Sequence, residues 1–171
     1  MFRPKPLYQK TIAENGARNN PVILDAFLKH YQLPTIHKTH LFGDRYENIY
    51  LNEQHIPELK PLIQEAVTLA EKRLHVENLQ AGYWFNYMPP DSSTTLHTHD
   101  DYDELLSAVY YVYAPENSGN LVLIENNERI EITPNTGEFI FFAPDLPHEV
   151  TINNSPEHRL SIGINFGIRS E

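Results

Sequence analysis

From residue 81 onward, apolar and polar residues alternate, and clusters of turn-forming residues interrupt the alternation at short intervals. The segments 81–88, 94–99, 105–113, 120–125, 128–132, 138–142, 148–153 and 158–167 read as strands. The breaks fall at Pro89-Pro90-Asp91, Pro115-Glu116-Asn117-Ser118-Gly119, Asn126-Asn127, Pro134-Asn135-Thr136-Gly137 and Asn153-Asn154-Ser155-Pro156. Connections this short suit antiparallel neighbours, because parallel pairing needs a long crossover. About eight short antiparallel strands predict a double-sheet jelly roll.

The first 80 residues read differently. Asn20-Pro21 opens an apolar pattern at Ile23, Leu24, Phe27 and Leu28 that ends near Tyr31. Asn20 is a suitable N-cap and Pro21 a suitable first helical residue. A second helix is expected from Pro57 or Pro61 to Leu74, with Leu59, Leu62, Ile63, Ala66, Val67, Ala70 and Leu74 on one stripe. Residues 45–51 between them read as a short strand. The expectation is one domain over 1–171, mainly β with N-terminal helices. Residues 1–80 support a jelly-roll core at 81–171, with the helices packed on one sheet. The last strand fits this. Leu160, Ile162, Ile164 and Phe166 share one face, while Arg159, Ser161, Gly163 and Asn165 share the other. The first face suits helices and the second a polar interior.

Composition removes several function classes. A net charge of −10 argues against a nucleic-acid surface, which needs clustered Lys and Arg. Without cysteine there are no disulfides, thiolate metal sites or cysteine nucleophiles. No apolar run reaches signal-peptide length at the N-terminus or the ~20 residues of a membrane span. A soluble, cytoplasmic protein is the expectation, with no membrane partner. The sequence does not fix the oligomeric state.

The chemistry concentrates in three places. His99-x-Asp101 puts an imidazole and a carboxylate on the same face of a strand. His148 opens a later strand after Pro144-Asp145-Leu146-Pro147. Two histidines and one carboxylate form the ligand set of an open Fe(II) site, with positions left for oxygen and substrate. Arg159 and Ser161 follow on one face of the last strand. An arginine there can hold a dicarboxylic co-substrate through two parallel hydrogen bonds. A second spacing competes with the first. His97-x-His99 with Glu104, followed by His148, resembles the two cupin motifs, although Tyr111 stands where that pattern expects glycine. The plain reading of His97 is a solvent-facing histidine or one that supports a ligand from behind. Trp84 reads most simply as a core residue.

From Trp84 onward the chain resembles the 2-oxoglutarate/Fe(II)-dependent oxygenases of the prolyl-hydroxylase-like group. The matching pieces are Trp84-Phe85-Asn86, His99-x-Asp101, Ser107 to Val112, Ser118-Gly119-Asn120-Leu121, Gly137 with Phe141-Phe142, Pro147-His148-Glu149-Val150, and Arg159-Leu160-Ser161-Ile162 with Asn165. They cover about half the chain, in order. The resemblance implies a double-stranded β-helix, Fe(II) as cofactor and 2-oxoglutarate as co-substrate. It implies His99, Asp101 and His148 as metal ligands, and Arg159, Ser161 and Tyr111 around the co-substrate carboxylate. Asn86 and Tyr87 are expected to line the same cavity. The expected activity is hydroxylation of a C–H bond in a small molecule or peptidyl side chain. Two alternatives stand beside it. One is a cupin-type metalloprotein using His97, His99, Glu104 and His148 without 2-oxoglutarate. The other is a non-catalytic jelly-roll binding module.

Overall fold

Helical spacing in the first 80 residues and strand alternation after them place two helices against one of two facing sheets. The computed structural model describes residues 7–98 and 103–168. Their order is β1 (Tyr8–Ile12), α1 (Gly16–His30), β2 (His37–Phe42), β3 (Arg45–Tyr50), α2 (Leu59–Leu74), β4 (Leu79–Met88), β5 (Thr94–His97), β6 (Glu104–Tyr113), β7 (Leu121–Glu125), β8 (Glu128–Ile132), β9 (Glu138–Phe142), β10 (His148–Val150) and β11 (Arg159–Ile168). A seven-stranded sheet runs β1-β9-β6-β11-β4-β3-β2, and a four-stranded sheet runs β5-β10-β7-β8. Every pair is antiparallel. This is the jelly roll expected from the strand spacing. Among the described residues no helix is long and apolar enough to cross a membrane.

β11 lies between β6 and β4, and its alternation organises the molecule. Leu160, Ile162, Ile164 and Phe166 are fully buried in the main apolar core. That core also takes Ile23 and Phe27 from α1, and Leu59, Leu62, Ala66 and Ala70 from α2. Phe27 is its aromatic hub, with ring centroids 4.9 Å from Tyr31, 5.0 Å from Phe85 and 5.2 Å from Tyr87. The opposite face of β11 is left to the space between the sheets. A smaller cluster that includes Leu121, Leu123, Ile140, Phe142 and Leu146 closes one end of that space.

Three local features depart from the sequence reading. First, α1 begins at Gly16, so Pro21 lies inside the helix instead of opening it. Its missing N–H gives up a bond to the Ala17 carbonyl. Asn20 is not the cap; it is buried and accepts a 2.6 Å hydrogen bond from the Tyr110 hydroxyl. Tertiary contact therefore outweighs the cap preference. Second, β1 and β2 carry no clean alternation and went unread; each is an edge strand with several exposed positions. Third, β10 ends at Val150, three residues before the expected boundary. Beyond it, Asn153 is wholly buried and takes over the hydrogen bonding of the loop. It donates to Met88 O and Glu157 O and accepts from the backbone and hydroxyl of Ser155.

The hub role of Phe27 is testable by chemical denaturation. Phe27→Ala should cost about 3–5 kcal/mol by cavity formation. Leu28→Ala, next to it but half exposed, should stay within roughly 0.5 kcal/mol of the parent protein.

Candidate active site

Between the sheets lies a cavity of about 720 Å³. The polar face of β11 forms its floor, with Arg159, Ser161, Gly163 and Asn165 in succession. Tyr111 of β6, Asn86 of β4 and His97 of β5 also line it, together with His148 of β10. Four residues singled out from sequence therefore share one chamber: Tyr111, His148, Arg159 and Ser161. His99 and Asp101 fall within 99–102, outside the described residues.

The deepest polar group is Arg159, which has no solvent exposure. Its Nη1 donates to Gly119 O at 2.8 Å and, at 3.4 Å, to Ser118 O. The guanidinium sits 5.1 Å from the Tyr111 ring centroid. Among the described residues, Nε and Nη2 of Arg159 and the Tyr111 hydroxyl have no hydrogen-bond partner. Burial lowers the Arg159 pKa, an effect that the Tyr111 oxygen partly offsets. Guanidinium nonetheless stays charged in proteins. The Tyr111 phenol is pushed up to about 12, mainly by burial, against the opposing pull of Arg159. It is therefore a neutral O–H donor at any working pH. Ser161 completes the group. It pairs with Tyr111 on one neighbouring strand and Asn86 on the other. In the register of β11, Ser161 pairs with Tyr111 and Ile162 with Tyr110, so Tyr111 shares the cavity face of Ser161 while Tyr110 turns to the helices.

Gly119 makes the guanidinium cradle possible. Its φ is +105°, and a Cβ would stand 2.4 Å from Thr151 O and 3.4 Å from Arg159 Nη1. Only glycine lets the carbonyl of this turn reach the arginine without strain.

The second feature is a histidine pair. His97 and His148 are direct register partners across β5 and β10, with ring centroids 4.2 Å apart. Nδ1 of His97 lies 2.7 Å from Thr95 O, and Nδ1 of His148 lies 2.8 Å from Leu146 O. A carbonyl oxygen only accepts, so Nδ1 carries the proton in both rings. Nε2 is then the nitrogen of each ring suited to a metal, and this backing hydrogen bond is the usual one for metal-ligating histidine. Phe142 packs edge-on against His148 at 4.9 Å and fixes its ring plane. His97 thus lines the cavity and is half-buried. Two imidazoles and three hydrogen-bond donors without partners line this one cavity, a donor set that would suit a ferrous ion together with an acid.

Two further expectations are corrected. Tyr87 does not line the cavity. It sits next to Asn86 on β4, so strand alternation turns it to the other face, against Phe27, Tyr31 and His158. Trp84 is not simply a core residue. Its indole borders the cavity and lies across Gly163, where a Cβ would come within 2.4 Å of the ring. Glu104, offered by the cupin spacing, accepts a 2.9 Å hydrogen bond from Asn165, which in turn accepts from Ser107.

Residues 83–167 match the family described as the 2OG-Fe(II) oxygenase superfamily. The chain belongs to that superfamily. It is an Fe(II)- and 2-oxoglutarate-dependent dioxygenase, which sets aside the cupin and binding-module alternatives. Solved structures of like fold include a prolyl-4-hydroxylase from Pseudomonas putida. It is 16% identical, with a TM-score of 0.72, over 95% of this chain and 92% of that one. A prolyl hydroxylase from Trichoplax adhaerens, in complex with a hypoxia inducible factor peptide fragment, is 16% identical with a TM-score of 0.70. The match covers 95% and 84% of the two chains. A viral collagen prolyl hydroxylase from Paramecium Bursaria Chlorella virus-1, in complex with 2OG, is 17% identical with a TM-score of 0.64, over 96% and 98%. At these identities the likeness concerns the fold. No curated protein matches this oxygenase in sequence.

Burial of Tyr111 predicts a pH effect with a definite sign. Its folded pKa lies above the unfolded value of 10.0. The stabilisation is therefore complete below pH 10 and is lost as pH rises toward about 12. In alkaline denaturation curves, Tyr111→Phe should fall less steeply over that window than the parent protein.

Proposed function

We propose that this oxygenase binds its metal through His97 and His148 and its co-substrate through Arg159, Tyr111 and Ser161. The observation that carries this reading is the buried guanidinium, whose Nε and Nη2 lack partners beside an unpartnered phenol. Leaving such donors unmade in a dry site costs free energy that a carboxylate would recover. The third metal ligand comes from the stretch just after His97. His99 stands two residues on, at strand spacing from His97, and Asp101 four. The set read from sequence, His99, Asp101 and His148, shares His148 and has the commoner donor chemistry. The facing pair across β5 and β10 favours His97 as the first imidazole.

The roles then divide by atom. Nε2 of His97 and His148 ligate, while their Nδ1–H groups, tied to Thr95 O and Leu146 O, prevent the rings from turning. Arg159 Nε and Nη2 offer two donors to the distal carboxylate of 2-oxoglutarate, with the Tyr111 hydroxyl as a third and Ser161 alongside. Gly119 O holds the guanidinium in place. Bound iron with 2-oxoglutarate would supply the chemistry of this family, in which one O2 is divided between the co-substrate, which leaves as succinate and CO2, and a C–H bond that is hydroxylated. The protein contributes ligand geometry, orientation and exclusion of water; no general base is required of it.

The remainder of the cavity, toward Trp84, Asn165 and Glu104, is the room left for the substrate. A small molecule or a peptidyl side chain fits this reading. The Trichoplax protein, in complex with a peptide fragment, supports the second class by fold alone.

Two measurements test the assignment. In calorimetric titration of the metal-loaded protein, Arg159→Ala should weaken 2-oxoglutarate binding at least 100-fold while metal affinity is kept. Arg159→Lys should not restore it, since ammonium cannot form the paired contact. Titration with Co(II) should lose stoichiometric binding in both His97→Ala and His148→Ala. Retention in His97→Ala, with loss in Asp101→Ala, would return the first ligand to His99.

A further inference from the structure

The metal-bearing edge is tied to the rest of the fold by two charged residues from outside the strands that carry the site. Arg45 and Glu47 both lie on β3, in the seven-stranded sheet. β5, which carries His97, lies in the four-stranded sheet and, among the described residues, pairs only with β10. Arg45 spans the gap. Its Nη2 donates to Ser93 O at 2.7 Å and Thr94 Oγ1 at 3.2 Å. Its Nη1 donates to Asn86 Oδ1 at 2.8 Å and Tyr87 O at 3.4 Å. Glu47 takes the next residue. Its Oε2 accepts from the Thr95 backbone N–H at 3.0 Å and its Oε1 from the Thr95 hydroxyl at 2.9 Å. The two side chains pair at 3.7 Å and are nearly buried, with 14% and 9% of their surface exposed. Three consecutive residues, 93 to 95, are therefore clamped from one strand.

The clamp ends at the metal site. The Thr95 carbonyl is the acceptor that holds His97 Nδ1–H at 2.7 Å. Fixing both the amide and the hydroxyl of Thr95 sets its backbone and its χ1 together, since a β-branched side chain has few rotamers. The direction of its carbonyl follows, and with it the tautomer and plane of the His97 ring. Partners behind the ligands tune a metal site in this way.

We propose that Arg45 and Glu47 are positioning residues of this oxygenase, which set the orientation and protonation pattern of His97 through Thr95 and thereby its metal affinity. The inference rests on the assignment of His97 as a ligand. Glu47 borders the cavity, but both its carboxylate oxygens are taken by Thr95, so it acts on His97 through that residue; a tie serving only to join the sheets would leave the His97 ring unaffected.

The test uses the full chain, without metal and then with Co(II). In the metal-free parent protein, nitrogen-15 NMR of the imidazoles should find His97 as a single tautomer with the proton on Nδ1. Glu47→Ala should give a mixture of tautomers, and its Co(II) affinity should fall about 10- to 100-fold. Glu47→Gln keeps the shape and one acceptor, so it should fall between and change the visible ligand-field bands of the Co(II) form. It also serves if Glu47→Ala does not fold. A single Nδ1–H tautomer and Co(II) affinity within twofold of the parent, in either folded variant, would overturn the proposal. If His97→Ala itself retains Co(II), the ligand assignment falls and this proposal with it. If His97→Ala loses the metal while both Glu47 variants keep it, only the positioning role is refuted.

Discussion

A positive charge held out of water with part of its hydrogen-bonding capacity unspent is the constraint around which the site is built. Arg159 has no solvent exposure; among the described residues its hydrogen bonds go to the backbone carbonyls of 118 and 119, with the Tyr111 ring beside it. Such a group is costly to bury. The fold accepts the cost because the strand that carries the arginine is the best anchored in the molecule. β11 is paired along nearly its whole length with β4 on one side and β6 on the other. Its other face is locked into the helical core by four fully buried apolar side chains. The arginine cannot swing out to water without breaking that register. An anionic ligand is then the natural completion of the structure.

The histidine end is built on a different principle. Short strands β5 and β10 give little intrinsic rigidity, so orientation comes from hydrogen bonds made by single atoms. Each histidine is backed by the carbonyl two residues before it. On the β10 side, packing against Phe142 adds stiffness. On the β5 side, Arg45 and Glu47 supply it from another sheet. The N-terminal region is thus more than a helical support. Its helices fill the core, and its β3 strand reaches the chemistry.

Much of this was legible in the chain because alternation carries two messages at once. The split of β11 into Leu160, Ile162, Ile164 and Phe166 against Arg159, Ser161, Gly163 and Asn165 named both the core and the cavity floor. Tyr111, Arg159 and Ser161, to which the resemblance pointed, line one cavity. What sequence missed depends on partners remote in the chain. Tyr87 differs from Asn86 only by strand parity, which a two-residue motif does not settle. His97 and His99 are equivalent by spacing, and of the two only His97 lies within the described residues, paired with His148 across β5 and β10. Glu47 and Arg45 looked like ordinary polar positions on a strand. Their partners lie 41 to 49 residues away, and no local pattern encodes that reach. The nearest available signal was a pair of opposite charges at i, i+2 in a strand otherwise reading as half-buried.

In the function proposed above, a ferrous ion and a buried guanidinium share one diacid between them. Anaerobic addition of Fe(II) to the metal-free protein, followed by 2-oxoglutarate, tests it in a single cuvette. A new visible charge-transfer band should appear, saturate at one co-substrate per iron and be absent in Arg159→Ala. Iron bound at full stoichiometry with no such band, or a band of equal strength without Arg159, would contradict it.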